Sequence, residues 1–460
     1  FVDTLAEAFA GSRELFEGLY LEDHWDWNRS YPVLRFDFGR GEAHTSAALE
    51  DKIAYQINSQ AEALAVLLTE PEIGNRFDQF ILRLTAATGQ PVVVLIDEYD
   101  KPILDNLSDP SLAQALREVL KNFYSVLKGL DAHLKFVLLT GVSKFSKVSL
   151  FSGLNNLKDI TLDSRVATLC GYTHDELTTT FADYLNGIDL EEMRRWYNGY
   201  HFLGESVYNP FDILLYLDSR QFKPYWFETG TPTFLIELLK QRQFAIPTLE
   251  NYWASEDLLG TFDVETLEPE TLLFQTGYLT IHEQLWEFDA YRYRLGYPNH
   301  EVRVSLPRAV LNHYVPDLMA KEQTRNRIAR ALKQDDPATL ENAFHAFFAS
   351  IPHNWYRKND LASYEGYWAS LVYCTFAALG VDTRAEEVSH RGQVDLVIEY
   401  QGRIWLLEFK VDEGNNGQTA LNQIKHKGYH HRYIGQPVTL IGIDFSAEQR
   451  NLSGFAWERA

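Results

Sequence analysis

The run Val92-Val93-Val94-Leu95-Ile96 constrains this chain more than any other segment. Its aliphatic, mostly β-branched side chains favour extended backbone. Because polar and apolar positions do not alternate, a strand of this kind has both faces covered, as at the centre of a parallel sheet. The run is too short to cross a membrane, and no stretch approaches 18 continuous apolar residues. Tyr31 to Phe38 (YPVLRFDF) and Leu134 to Thr140 read as further strands, the second one buried and ending at Gly141. Helical periodicity fills the rest of this part: Phe1 to Tyr20, Thr45 to Leu68, Asp78 to Thr88 and Pro110 to Leu127. Strands separated by helices require crossover connections, hence a mostly parallel α/β sheet.

From about Thr173 to Lys333 the pattern becomes mostly helical and rich in aromatic clusters, such as Trp196-Tyr197-Asn198-Gly199-Tyr200 and Tyr208-Asn209-Pro210-Phe211. The polar break Gln334-Asp335-Asp336-Pro337 marks a boundary. Beyond it, Ala338 to Ile351 and Leu361 to Leu379 read as helices, the second stopped by Gly380. Three strands follow, Thr383 to Ser389, Gln393 to Tyr400 and Arg403 to Val411, then a helix from Gly417 to Tyr433 and a strand from Val438 to Phe445. Three regions result: an α/β core over 1–172, a mostly helical lid or linking region over 173–335, and a second α/β domain over 336–460.

Charge limits the functions open to the chain. A formal net charge of −22 over 460 residues excludes a protein that coats nucleic acid by electrostatics alone. The excess is uneven: Leu361 to Ala460 carries twelve acidic and nine basic residues, a balance of −3, so −19 lies before it. Lys425 to Arg432 (KHKGYHHR) is basic, and reads either as a solvated helix face or as a phosphate-contacting one. Two cysteines, Cys170 and Cys374, cannot form a disulfide framework and suit a reducing, cytoplasmic setting. No signal peptide is visible, and a chain opening on Phe1 in mid-helix reads as a fragment.

The chemistry concentrates near the end. Asp395 sits in Gly392-Gln393-Val394-Asp395 on one expected strand, with Glu408 and Lys410 in Leu406-Leu407-Glu408-Phe409-Lys410 on the next. Residues i and i+2 of a strand share a face, so Glu408 and Lys410 point one way while Leu407 and Phe409 point into a core. A hairpin would set Asp395 beside Glu408. Two converging carboxylates make a hard-oxygen site suited to Mg²⁺ or Mn²⁺, with an ammonium at hand to orient water or neutralise a phosphoryl transition state. E-x-K on a strand is often a plain ion pair. Here the strand is otherwise apolar, so its charges are not a solvated face.

These residues resemble the PD-(D/E)XK nuclease superfamily, and most closely the bacterial and archaeal branch fused to an AAA-ATPase-like domain. The branch's features match Glu365 in Tyr364-Glu365-Gly366-Tyr367, Gly392 with Asp395, Glu408-Phe409-Lys410, and Ala420-Leu421-Asn422-Gln423-Ile424-Lys425-His426-Lys427-Gly428-Tyr429. The resemblance implies that Asp395 and Glu408 hold the metal, that Lys410 assists the nucleophile, and that Gln423 and Glu365 support the site. It implies nucleic acid, DNA or RNA, as substrate, and a restriction-endonuclease-like α/β domain.

The first part resembles the AAA-ATPase-like half of the same fusion. Leu95-Ile96-Asp97-Glu98-Tyr99-Asp100-Lys101-Pro102 is similar to a Walker B strand, in which Asp97 holds Mg²⁺ through water and Glu98 activates the attacking water. Thr140, ending a neighbouring strand, suits a γ-phosphate sensor. Ser149 to Leu157 (SLFSGLNNL) and Thr276-Gly277-Tyr278-Leu279-Thr280 extend the likeness. A P-loop needs G-x-x-x-x-G-K-[ST], and no Gly-Lys pair occurs in the chain. The sequence therefore reads as starting just after that loop, a truncated P-loop-type sheet not expected to bind ATP although the intact family protein would. The same resemblance allows a homo-oligomer, and the lack of a long apolar stretch argues for no membrane partner. The competing reading is a non-catalytic regulatory or protein-binding module on a nuclease-like scaffold, favoured by the acidic balance and many aromatics.

Overall fold

Val92–Asp97 is the middle strand of a three-stranded parallel sheet, β1 (Val33–Asp37), β2 (Val92–Asp97) and β3 (Leu134–Leu139) in that order. The computed structural model describes residues 1–143, 157–228, 235–236, 238–239, 242, 244–260, 268–315, 317–351, 365–389, 392–411, 414 and 416–460, with backbone alone for Leu318, Glu365, 386–389 and 392–394. Most of the Ser149 to Leu157 segment lies outside the described residues. The chain forms two compact units, residues 1–161 with 256–276, and residues 162–255 with 277–460.

In the first unit both faces of β2 are covered. Val93 and Leu95 pack with Ala6 and Phe9 of the Val2–Ala10 helix. In the sheet's other layer Phe36 of β1 meets Phe77 and Phe123 at ring separations of 5.0 and 5.1 Å, from the helices Ile73–Thr88 and Pro110–Ser125. Two expectations need correction. The helix expected from Phe1 to Tyr20 stops at Ala10, because Gly11 adopts φ 90° and caps it; a 3₁₀ turn (Arg13–Phe16) and a short helix (Tyr20–His24) follow. Nor is β3 buried: its residues are half-buried or exposed, and it forms the edge of the described sheet.

The second unit is less helical in its first half than the aromatic pattern suggests. β4 (Asn198–Tyr200) pairs with β5 (Val207–Tyr208), and β6 (Tyr252–Ser255), β7 (Thr280–Glu287) and β8 (Ala290–Gly296) form an antiparallel sheet ordered β6-β8-β7. The β7–β8 turn is Phe288-Asp289, with φ of 51° and 60°. A two-residue hairpin turn of that shape is normally signalled by Asn-Gly, so the sequence carries no cue for it.

The aromatic motifs surround a buried acid pair. Asp212 sits in the first turn of the Pro210–Ser219 helix, capped by Asn209, and Glu301 in that of the His300–Tyr314 helix, capped by Asn299. Both acids are 0% exposed. Asp212 Oδ1 accepts the Trp226 N–H at 2.8 Å and Glu301 Oε1 the Phe227 N–H at 3.1 Å. Two adjacent carboxylates away from water cannot both ionise. Burial, reinforced by Asp212, pushes Glu301 up to about 9, and burial raises Asp212 to about 6.

The rest of this unit is helices around a five-stranded sheet, β9 (Asp382–Ser389), β10 (Gly392–Tyr400), β11 (Arg403–Val411), β12 (Val438–Ser446) and β13 (Asn451–Arg459), ordered β13-β12-β11-β10-β9. Only β11 and β12 run parallel. Strand β13 is absent from the sequence reading. The helix expected from Gly417 to Tyr433 covers Gln418–Lys427 and yields at Gly428, φ 64°, to a 3₁₀ turn over Tyr429–Tyr433. That helix packs tightly on β12: a Cβ at Gly442 would stand 2.2 Å from the Gly417 carbonyl oxygen and 2.3 Å from the Leu421 nitrogen.

Two stability predictions follow from this packing. Gly442→Ala forces backbone apart and should cost about 2 kcal/mol in urea unfolding; an unchanged midpoint would refute the close approach. Glu301 holds a proton that the unfolded chain, with an ordinary value of 4.5, releases earlier. Its stabilising effect is therefore full below about pH 4.5 and is lost as pH rises towards about 9. Glu301→Gln should flatten the fall in stability between pH 5 and 9, and equal slopes for both proteins would count against a shared proton.

Candidate active site

Strands β10 and β11 pair antiparallel with Leu396 opposite Leu407 and Val397 opposite Leu406. Continued one step, this register sets Asp395 against Glu408. On this face Val397, Ile404 and Leu406 pack with Leu421 and Ile424 of the Gln418–Lys427 helix. Because Asp395 shares a face with Val397, and Glu408 and Lys410 share one with Leu406, all three candidate side chains lie on the side this helix covers. Phe409 lies on the reverse side, 6.0 Å ring to ring from Phe445, which stacks at 4.7 Å on Trp368 of the Glu365–Ala377 helix. The expected inward placement of Leu407 and Phe409 agrees with their burial, 0% and 1% exposed.

Glu408 is 1% exposed although it is ionisable. The Gln423 amide donates a short hydrogen bond to its Oε1, and the Lys410 ammonium stands 3.9 Å from the same oxygen. Asp395 Oδ2 accepts the Phe409 N–H at 2.7 Å, which fixes the carboxylate where the two strands part. The structure thus brings together Asp395, Glu408, Lys410 and Gln423. The side chain of Glu365 lies outside the described residues, though its backbone opens the helix on the reverse face. Sequence reading does not single out Asp444, which is 1% exposed and faces Lys410 in the β11–β12 register. Its signal is a lone acid in the apolar run VTLIGIDF, the same kind of anomaly that marks Glu408.

The donor set suits a hard cation: two carboxylates, fixed by a backbone amide and a side-chain amide, with no thiol or imidazole among the four residues. Among the described residues no cluster of three or more His, Cys, Asp or Glu side chains could hold an ion. A metal here would depend on Asp395 and Glu408, with water and phosphate oxygen completing its shell.

The second candidate lies at the carboxyl end of the parallel sheet. The Thr140 hydroxyl donates to Asp97 Oδ1, and the Thr140 N–H bonds the Ile96 carbonyl at 2.9 Å, so the two residues sit side by side. Glu98 adopts φ 53°, and burial, followed by Asp100 and Asp97, raises its carboxyl above the ordinary range. Asp37, also not singled out by the sequence, pairs with Asp97 across β1 and β2 and shapes the next turn by accepting the Gly39 N–H at 2.7 Å. Asp100 is 0% exposed and accepts from the Ser143 hydroxyl at 2.5 Å. Fully committed to that loop, it plays a structural part.

Comparison with known proteins agrees with both halves. Residues 1–151 match the family described as a predicted AAA-ATPase, AAA-ATPase-like, and residues 363–454 match the PD-(D/E)XK nuclease superfamily. The chain is 49% identical over 460 residues to an uncharacterized protein in the vnfD 5′ region of Azotobacter chroococcum mcd 1, covering 100% of this chain and 89% of that protein. The chain belongs to the family that joins an AAA-ATPase-like region to a PD-(D/E)XK nuclease domain. No solved structure matches it. In this fusion the nuclease-type half is the five-stranded sheet carrying Asp395 and Glu408, and the ATPase-like half is the parallel sheet carrying Asp97. No helix among the described residues is long and apolar enough to cross a membrane.

If Asp395 and Glu408 hold a divalent ion, Mn²⁺ stabilises the folded chain by mass action, about 2.7 kcal/mol at a hundredfold excess over Kd. Thermal unfolding of this family member should shift upward with Mn²⁺, and the shift should vanish in Glu408→Ala. An equal shift in both proteins would place the ion elsewhere.

Proposed function

We propose that the C-terminal domain cleaves phosphodiester bonds in nucleic acid with a divalent metal, Mg²⁺ or Mn²⁺, and that in the family protein the ATPase-like region governs this cutting. The observation that carries the reading is a carboxylate, Glu408, held 1% exposed beside a lysine and an amide on an otherwise apolar strand. Burying such a group costs several kcal/mol unless it is compensated, so a purely structural position would favour an apolar residue. A bound metal would supply Lewis-acid polarisation of the phosphoryl oxygen and a more acidic water.

The chain's own residues have separable parts in this reading. Asp395, fixed by the Phe409 amide, and Glu408, fixed by Gln423, present their oxygens in set directions. Lys410 carries a positive charge to the same point, where it can orient the attacking water and offset charge on the phosphoryl group. Gln423 is a positioning residue: it touches Glu408 rather than the reacting atoms. Glu365 is proposed as a supporting residue on the resemblance alone. For the ATPase-like half, Asp97, Glu98 and Thr140 are proposed to face a nucleotide's phosphates.

The competing reading, a non-catalytic module on a nuclease scaffold, predicts no dependence on these residues. Purified protein with Mg²⁺ or Mn²⁺ should cut labelled DNA or RNA, and Asp395→Ala, Glu408→Ala or Lys410→Ala should lower the rate at least about 100-fold. Cleavage that persists in all three variants, or is absent throughout, would contradict the nuclease reading.

A further inference from the structure

Strand β10 carries Asp395, yet it is not held alike along its length. Its pairing with β11 runs only from Leu396 to Tyr400. Its pairing with β9 runs from Gly392 to Glu399. Before Leu396, therefore, the ladder partner of β10 is β9 alone among the described residues, and the backbone at Asp395 takes its place from β9. Strand β9 is in turn the edge of the five-stranded sheet. Whatever fixes that edge also bears on the candidate active site.

Two side chains do so. Glu250 closes the 3₁₀ turn Ile246–Glu250, and Arg303 lies in the His300–Tyr314 helix. Arg303 grips Glu250 Oε1 with Nε at 3.1 Å and Nη2 at 3.0 Å, and the Tyr373 hydroxyl donates to the same oxygen at 2.7 Å. The pair then takes up backbone groups on the outer edge of β9. Arg303 Nη2 donates to the Thr383 carbonyl at 2.5 Å, and the Ala385 N–H donates to Glu250 Oε2 at 3.4 Å. Thr383 and Ala385 stand opposite Ile398 and Leu396. Leu396 is one residue, about 3.3 Å, from Asp395. An edge strand needs covering, but a loop or apolar packing can do that without desolvating charge. Here the Glu250 side chain is 14% exposed and that of Arg303 34%. What the ion pair adds is direction: a donor and an acceptor pin β9 at two points along its edge. Both residues lie between the segments that match the two families, 1–151 and 363–454. The helix of Arg303 is also the one that holds the Phe227 amide through Glu301.

We propose that Glu250 and Arg303 are positioning residues for the metal site: they fix β9, β9 fixes β10, and a shift of the region between the two family matches is thereby felt at Asp395. The proposal rests on the nuclease reading and adds to it a route by which cutting is controlled. Neither residue touches the reacting atoms. Each acts through the ladder that carries Asp395, as an outer hydrogen bond orients a metal's ligands.

The test is calorimetric titration of Mn²⁺ into the full chain, with amide hydrogen exchange over β9 and β10 and cleavage kinetics on the same samples. Arg303→Met and Glu250→Gln should each weaken Mn²⁺ binding at least about tenfold. They should also speed exchange over residues 392–396 and lower kcat while KM for nucleic acid stays near the parent value. Arg303→Lys keeps the charge and should recover most of the Mn²⁺ affinity. Arg308→Met is the structural control: it removes another bond from the same helix, 3.2 Å to the Ala378 carbonyl, and should leave Mn²⁺ affinity and β10 exchange unchanged. Should Arg303→Met fail to fold, Glu250→Gln and Arg303→Lys decide the matter. Parent-like Mn²⁺ affinity and kcat in the folded variants, with only a lower thermal midpoint, would make the pair a structural clamp and overturn the proposal. Glu408-dependent cleavage would then still support the nuclease reading. A parent chain that neither binds Mn²⁺ nor cuts would overturn both.

Discussion

A carboxylate almost wholly out of water has to be compensated by its surroundings, and in this chain that requirement organises the C-terminal domain. Glu408 lies in an apolar strand with its neighbours Leu407 and Phe409 buried on the reverse face. Its compensation comes from two directions. Lys410 is supplied by the pleat of the same strand, and Gln423 by the helix packed above it. The helix reaches Glu408 because Gly417 and Gly442 let the two backbones touch. The site therefore depends on a close backbone approach at Gly442, the residue paired with Glu408 across β11 and β12.

The register of β10 and β11 adds the second carboxylate. Pairing ends at Leu396 and Leu407, and Asp395 takes up the freed Phe409 amide just beyond. One face thus carries both acids and the amine, while the opposite face is committed to aromatic packing through Phe445 and Trp368. Apolar matter on one side and fixed hydrogen bonds on the other leave these side chains little freedom, as electrostatic preorganisation would require.

Much of this was legible in the sequence, for identifiable reasons. β2 was marked by five aliphatic residues, and β10 and β11 by Gln401-Gly402, a turn with φ of 51° and 74° at its two residues. The face shared by Glu408 and Lys410 followed from the two-residue period of a strand. Other features left no local trace. The Phe288-Asp289 turn adopts left-handed backbone without glycine or asparagine, so the β7–β8 hairpin was hidden in a region that reads as helical. β13 was missed because Asn451 to Arg459 mixes polar and apolar residues without a clean alternation. Asp37 and Asp444 gain meaning only from strand neighbours distant in sequence. The roles of Gln423 and Glu365 came from family resemblance. The hydrogen bond to Glu408 now gives Gln423 a physical reason to be where it is.

The central claim is that Asp395 and Glu408 converge to grip a divalent cation. Crystals of the chain soaked in Mn²⁺ and measured at the manganese edge test it directly. The account predicts one strong anomalous peak within coordination distance, about 2.2 Å, of oxygens from both carboxylates. Manganese bound elsewhere, with this position filled only by the Lys410 ammonium, would contradict it.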